Sequence, residues 1–199
     1  MGAYYYLASQ LPYLIYGQTP PMSSEAFKEL AKPLLDKKDA VLLELVSPDP
    51  QPAETDGQGP SYAEKAPPCG SVFIDKWRDW ERTLRLNLAK QRAIKLKRED
   101  LSPVEAPSDP SDAASAASRV MASTESPLEG ELQLDRSRWD AIEQLQGNDI
   151  FSSSSIFAYL LKLMLLERHA SFQANIGFVE YKSLYASIVG GVVSNGDAK

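Results

Sequence analysis

Apolar residues recur at helical spacing along most of this chain, and no stretch alternates convincingly between apolar and polar positions. The clearest example is residues 71–98. Four large apolar side chains follow one another there at intervals of three, four and four residues: Trp77, Trp80, Leu84 and Leu88. That spacing puts them on one face of a helix. The sequence therefore predicts an all-α fold, a helical bundle in which residues 71–98 form one long helix.

The first 46 residues are predicted to form a helical hairpin. Its Tyr-rich opening fits either a helix or a strand, because the run is short and aromatic. Ser23 or Ser24 can cap a helix that Pro33 then interrupts. Asp36 begins a second helix, and its apolar face is assigned to Val41, Leu42, Leu45 and Val46.

Two polar segments separate the predicted helices. Residues 47–70 contain six prolines and three glycines, so we expect an extended, mobile linker. Residues 99–130 hold few large apolar side chains, and burial there cannot offset the entropy lost on ordering. We expect a disordered or loosely attached low-complexity insertion, although Ala and Ser would permit a transient helix around residues 113–121.

The C-terminal segment, residues 131–199, is expected to pack with the N-terminal hairpin and the long helix as one domain. Gly147 can end its first helix. The second is apolar around most of its circumference up to Leu166, as expected of a central core helix. A last helix is predicted over residues 178–193. Six side chains are assigned as anchors of the core: Trp77, Trp80, Leu84, Leu88, Trp139 and Tyr159.

Charge distinguishes the long helix from the rest of the chain. The net charge of the chain is −6, whereas residues 72–98 hold nine Lys/Arg and three Asp/Glu. Candidate partner-binding residues on this helix are Arg78, Arg82, Arg85, Arg92 and Lys95. One alternative is a solvated face that acidic surfaces of the same protein neutralise. The other is nucleic-acid binding, which is disfavoured because an acidic chain repels a polyanion.

The sequence contains no recognisable catalytic or cofactor motif. His169 is interpreted as a histidine that the dipole at a helix C-terminus favours. Cys69 lies between Pro68 and Gly70 without a basic neighbour and is interpreted as an incidental thiol. Neither G-x-x-x-x-G-K-[ST] nor G-x-G-x-x-G occurs. We therefore expect a protein that is not an enzyme, with no catalytic residue, metal ligand, cofactor or small-molecule substrate; a pocket of converging carboxylates would argue for an enzyme instead.

Neither of the two longest apolar stretches predicts membrane insertion. Residues 3–16 lack a preceding basic region and contain Gln10 and Pro12, so a signal peptide is not expected. Residues 156–166 include Lys162 and are far fewer than the roughly 20 residues that a membrane span requires. We expect any membrane association to be peripheral.

Three separated parts of the chain together resemble a known family. They are YYYLASQLPYL with SSEAFKELAKPLLDKKDAVLLELV, then FIDKWRDWERTLRLNLAKQRAIKL, then RWDAIEQL followed by FAYLLKLMLLERHASFQANIGFVEYKSLY. Their order and spacing are similar to those of the DUF2764 family, small bacterial proteins encoded among the subunits of V/A-type ATPases. The opening stretch and the AYLLKLMLLER helix are also similar to the C/d group of V/A-type ATPase subunits. That group forms an all-α coupling piece between the rotary stalk and the membrane ring.

This resemblance implies a non-catalytic accessory or stalk subunit of a bacterial V/A-type ATPase, which translocates protons or sodium ions. Its partners would be other ATPase subunits, contacted by helix packing. The protein would be cytoplasmic, or peripheral at the cytoplasmic face of the inner membrane through the complex. The family supplies no catalytic residue to transfer. Two alternatives stay open: a chaperone that binds ATPase parts transiently, and a nucleic-acid-binding regulator that uses the basic helix.

Overall fold

The computed structural model describes residues 4–49, 53–55, 59–61, 64–97, 112–123 and 126–172. These residues form seven α-helices and one short pair of strands. The helices are α1 (Tyr5–Gln10), α2 (Ser24–Ala31), α3 (Lys37–Glu44), α4 (Val72–Lys95), α5 (Asp112–Ser123), α6 (Pro127–Gln146) and α7 (Ser153–Ser171); the strands are β1 (Ala53–Thr55) and β2 (Gly59–Ser61). The prediction of an all-α fold is confirmed.

The N-terminal helices begin and end at the residues that the sequence marks. The Tyr-rich opening is helical, as α1. The Oγ of Ser23 accepts a hydrogen bond from the N–H of Ala26 at 3.1 Å, which caps α2. Pro33 lies in a single 3-10 turn, Lys32–Leu34, that separates α2 from α3. Asp36 immediately precedes α3.

The buried face of α3 differs from the predicted one. Val41 is 66% exposed and Leu45 is 38% exposed, so neither belongs to the core. Leu43, which the prediction omitted, is fully buried together with Leu42 and Val46. Residues at i, i+1 and i+4 share one side of a helix. A short run of consecutive apolar residues does not reveal which side faces the protein, and this is why the assignment was wrong.

The main core surrounds α7. Glu167, near its C-terminal end, accepts hydrogen bonds from the N–H and the Oγ–H of Ser24, both at 2.7 Å, and so ties the first turn of α2 to α7. The helices α2, α4 and α6 all contact α7. Its buried residues occupy most of its circumference: Ile156, Phe157, Ala158, Leu160, Leu161, Leu163, Leu165 and Leu166.

A second, smaller core lies where α4, α5 and α6 meet. It contains Leu84 and Leu88 of α4, Leu134 of α6, and from α5 the residues Ala113, Ala116, Ala117 and Val120. Residues 112–123 are therefore a packed helix, which corrects the expectation of a disordered or loose insertion. Small side chains let α5 lie close against α4, so that the neighbouring helix supplies the large apolar groups that α5 lacks. The helix α6 also begins earlier than expected, at Pro127.

The proline-rich segment 47–70 contains a short antiparallel hairpin, with Ala53 opposite Ser61. Within the segment predicted to be an extended, mobile linker, these two strands pair with each other. The sequence between them includes Asp-Gly, a dipeptide favoured between hairpin strands. Because each strand has only three residues, the fold class stays all-α.

Some predictions fall on residues that the structure does not describe. The predicted last helix, residues 178–193, and the stretch 98–111 lie outside the described residues. Within the described part of the chain, no helix is both long and apolar enough to cross a membrane.

Candidate functional site: the cationic end of α4

Charge and burial divide α4 into two parts. Residues 72–88 hold four Lys/Arg and three Asp/Glu, whereas residues 89–97 hold four Lys/Arg and no acidic residue. Eight side chains of the first part are buried. In the second part none is buried, and most are exposed. We call residues 89–97, which include the last turns of α4 and the two residues after it, the cationic end.

Two of the predicted partner-binding cations lie against the protein itself. The Nη2 of Arg78 donates to the backbone oxygen of Leu45 at 3.3 Å. The Nη2 of Arg82 lies 3.1 Å from Oδ1 of Asp79, and Lys65 holds the other oxygen of that carboxylate at 3.0 Å. Burial opposes ionisation of Asp79, but the hydrogen bonds from Lys65 and Arg82 hold its pKa below the usual value. Both arginines therefore already have partners within the protein.

Arg85 belongs to a buried charge cluster that joins α4 to α6. Its Nε lies 2.7 Å from Oε1 of Glu81, a residue only 1% exposed. From α6, Arg138 donates to Glu81 through Nε and Nη2, both at 3.1 Å. The Nη1 of Arg138 donates to Asp135 at 2.7 Å. We use the name buried charge cluster for Glu81, Asp135 and Arg138, with Arg85 at its edge.

Arg168 connects this cluster to α7. Its Nε lies 3.6 Å from Oδ2 of Asp135, and its Nη2 donates to Glu131 at 2.9 Å. Burial raises the pKa of Asp135, although Arg168 and Arg138 oppose that rise. Burial alone would lower the pKa of Arg138, but Glu81 and Asp135 raise it, so the guanidinium stays charged. With both signs of charge paired, the cluster fixes how three helices sit together.

Sequence reasoning placed Arg85 on a partner surface and did not find the rest of the buried charge cluster. The spacing of these charges relative to the apolar residues could have revealed the cluster. Glu81 follows Trp77 by four residues, and Arg138 follows Leu134 by four. Charges of opposite sign therefore occur on the apolar faces of two helices, where each needs a partner once it is buried.

The six assigned anchors lie in or beside the two cores. Trp77, Leu84, Leu88 and Trp139 are buried, and Trp80 and Tyr159 are partly buried. The rings of Trp77 and Trp80 stack with their centroids 5.7 Å apart, and Trp80 contacts both cores. The hydroxyl of Tyr159 donates to the backbone oxygen of Pro12 at 2.9 Å, and burial raises its pKa to about 12.

Arg92 and Lys95 line a cleft of about 290 Å³ where α4, α5 and α6 meet. Both side chains are exposed, and within the described ranges neither forms an ion pair. The only carboxylate that lines this cleft, among the residues described, is Glu131, which is already bonded to Arg168. We call this the cationic cleft; its apolar lining comes from Leu88, Val120, Met121 and Leu134.

The helix dipole accounts for part of this arrangement. Cations are favoured in the last turn of a helix, where Arg92 and Lys95 lie. Lys90 lies further from the end, and an apolar cleft beside the cations has no relation to the dipole. The cationic cleft can therefore hold a negatively charged group next to an apolar one.

A second cleft, of about 480 Å³, lies between the segment after α1 and the helices α6 and α7. Its charged groups are paired with each other. Lys162 lies 3.1 Å from Glu143, which also accepts a hydrogen bond from Nε1 of Trp139 at 3.0 Å. The exposed Tyr13 and Ile150 line its mouth. This cleft has no uncompensated charge with which to select a ligand.

Cys69 and His169 lie apart from both clefts. The N–H of Cys69 donates to Oδ1 of Asp75 at 2.8 Å, and burial raises the pKa of the Cys69 thiol. His169 packs beside Tyr16, with 5.7 Å between the ring centroids. No group of three or more His, Cys, Asp and Glu in the described ranges is placed to hold a metal ion.

Comparison of this chain with protein-family models, with curated proteins and with solved structures gives no match. The resemblance to the DUF2764 family stays a prediction from three segments of the sequence. The first falls mainly on α1, α2 and α3, the second on α4, and the third on α6 and α7, with its end beyond the described residues.

Proposed function

We propose that this chain is a non-catalytic accessory or stalk subunit of a bacterial V/A-type ATPase that binds other subunits through the cationic end of α4. The observation that carries the proposal is the excess of positive charge at this end of the helix. Residues 89–97 hold four cations and no acidic residue, in a chain whose net charge is −6. The family resemblance supplies the identity of the complex, and with it a place at the cytoplasmic face of the membrane.

A protein partner fits this surface better than a nucleic acid does. Complementary charge steers two proteins together and suppresses wrong partners. The acidic remainder of the chain would repel a polyanion as long as a nucleic acid. The cationic end also extends from a helix that two apolar cores and the buried charge cluster fix in place. A rigid support of this kind suits a subunit that must hold its neighbour in one orientation.

The proposal is tested by purifying the tagged full-length chain from its bacterium in mild detergent. We expect V/A-type ATPase subunits to be recovered with it in a fixed ratio. The double variant Arg92→Glu with Lys95→Glu should reduce that recovery about tenfold or more, equivalent to at least about 1.4 kcal/mol of binding free energy. The matched control is Lys37→Glu with Lys76→Glu, which changes the net charge equally at exposed lysines elsewhere.

Three results would contradict the proposal. An intact ATPase that carries none of this chain would reject the complex as its partner. Recovery of the chain with assembly intermediates alone, and its absence from the mature complex, would identify a transient chaperone. Equal loss of binding in the two double variants would show that net charge matters and the cationic end does not.

A further inference from the structure

We infer that the cationic cleft binds an acidic amphipathic helix of a partner protein, with an apolar side chain in the cleft and carboxylates on Arg92 and Lys95. The inference rests on the proposed function for the name of the partner. The chemistry of the occupant follows from the cleft itself.

The lining of the cleft calls for an apolar group. Leu88, Val120 and Leu134 line the cleft but are already buried, so the apolar surface that an occupant can cover comes mainly from the half-buried Met121 and the exposed Pro127. Its volume of about 290 Å³ gives room for large apolar side chains. Each Å² of apolar surface removed from water contributes about 25 cal/mol. An occupant that carried only charged groups would leave this apolar surface exposed to water.

The spacing of the cations matches a helix. Arg92 and Lys95 are three residues apart on α4, and side chains so placed on a helix have Cβ atoms about 5–6 Å apart. Carboxylates at positions i and i+3 or i+4 of a partner helix have the same separation. Binding of an amphipathic helix in a groove between helices is a recurrent mode of peptide recognition.

The charge around the cleft favours an acidic occupant. Among the described residues, Glu131 pairs with Arg168 and forms no ion pair with Arg92 or Lys95. A nucleic acid would use the positive charge and leave the apolar lining unmatched.

The test uses fluorescence anisotropy with the full-length chain and a designed peptide. The probe is an alanine-based helix of about 18 residues, long enough to be helical alone, with paired glutamates beside a leucine stripe. The matched peptide control has the same composition in scrambled order. We expect the probe to bind, to weaken as salt is added, and to bind about tenfold or more weakly to the double variant Arg92→Glu with Lys95→Glu. The control Lys37→Glu with Lys76→Glu should bind as the unmodified chain does.

The apolar part of the inference has its own variant. Met121→Asp should weaken probe binding about tenfold without touching either cation, and Met121→Leu should preserve it. Circular dichroism establishes that each variant is folded. If Met121→Asp is not folded, Met121→Gln replaces it with the same expected direction. Unchanged binding by a folded Met121 polar variant would overturn the apolar part of the inference.

Other outcomes would reject the cleft or its occupant. Equal binding of the scrambled peptide would show charge attraction without a shaped site. Tighter binding of a single-stranded oligonucleotide, lost in the Arg92/Lys95 variant, would identify a nucleic-acid surface. If neutralising the acidic residues of the adjoining segment raises probe affinity about tenfold, the chain's own segment is the occupant; those residues are Glu99, Asp100, Glu105 and Asp109.

The two proposals fail separately. Probe binding without recovery of ATPase subunits would keep the cleft and reject the complex. Recovery of ATPase subunits without probe binding would keep the complex and reject the cleft as its docking site.

Discussion

The two parts of α4 have similar numbers of cations and opposite environments. In residues 72–88 three of the four cations, Arg78, Arg82 and Arg85, lie beside the backbone of Leu45, Asp79 and Glu81, so less charge is left for a partner. Residues 89–97 hold four cations and no acidic residue, and their side chains are largely exposed. A count of basic residues therefore does not define a binding surface. What matters is which cations have a carboxylate within reach in the folded chain.

The comparison also separates two roles of charged side chains, one in buried ion pairs and one at the surface. Removing Glu81 and Arg138 from water costs free energy, which their mutual attraction and hydrogen bonds must offset. The pairing then specifies which faces of α4 and α6 meet, because a shifted register would leave a buried charge alone. The cations of the cationic end remain hydrated and contribute little to the stability of the chain.

The largest expected effect is at Arg138. The substitution Arg138→Met leaves Glu81 and Asp135 buried without their shared partner, and should lower the free energy of unfolding by about 3–5 kcal/mol. Urea unfolding followed by circular dichroism measures this. The matched control is Arg136→Met on the same helix, where the side chain is 55% exposed and pairs with Asp140. It should cost about 1 kcal/mol or less.

A triple variant sharpens this result. Replacing Glu81 and Arg138 with Met and Asp135 with Leu removes the three charges of the buried charge cluster together. Stability should then return to near that of the unmodified chain, since apolar groups can replace a buried ion pair at little cost. A triple variant that remains as unstable as Arg138→Met would show that shape, and not pairing, determines stability at this site.

The next largest effect on stability is expected from truncating an apolar side chain in the first part of α4, compared with the same change in the second part. Leu84→Ala removes a fully buried side chain from the second core and should cost about 2–5 kcal/mol. Ile94→Ala, at a position that is 51% exposed, should cost about 0.5 kcal/mol or less. The same urea experiment measures both. Similar losses for the two variants would contradict the division of the helix.

The smallest effect concerns the reactivity of two thiols, Cys69 just before α4 and a cysteine introduced at the cationic end. Burial raises the pKa of the Cys69 thiol, so at pH 8 its reactive thiolate fraction is reduced and its alkylation by iodoacetamide should be slow. A cysteine placed at the exposed Ala89, in a Cys69→Ser background, has Lys90 and Arg92 nearby to favour its thiolate. It should react several-fold faster, as measured by mass spectrometry.

The denatured chain supplies the control for this comparison. In urea, both thiols should react at similar rates, because the fold no longer protects Cys69. The rate at Cys69 in the folded chain should also keep rising to higher pH than the rate at the engineered cysteine. Equal rates in the folded state would contradict the difference in environment.

The helical content and its boundaries could be predicted from the sequence where local chemistry decides them. Ser23 and Ser71 cap the helices that follow them, and Gly147 ends α6 with a φ of 72°, a conformation that glycine adopts without strain. The apolar stripe from Trp77 to Leu88 could also be recognised from its helical spacing. These features depend on residues within a few positions of one another.

The rest depends on contacts between distant residues. Residues 112–123 look disordered alone because their buried side chains are mostly alanine; their order comes from α4. Arg85 looks like a surface cation because its partner, Glu81, is itself fixed by Arg138, 57 residues further along the chain. Likewise, only the fold brings Val120 and Leu134 beside Arg92 to form the cationic cleft.

Trp80 makes the two cores mechanically dependent on each other. Because its ring packs against both, the loosening of either core removes support from the other, and the buried part of α4, residues 72–88, should melt as one unit. We therefore expect a single cooperative unfolding transition of the described helices, reported by tryptophan fluorescence and circular dichroism together. A ligand bound at the far end of α4 would then raise the melting temperature of the main core around α7, which it never touches.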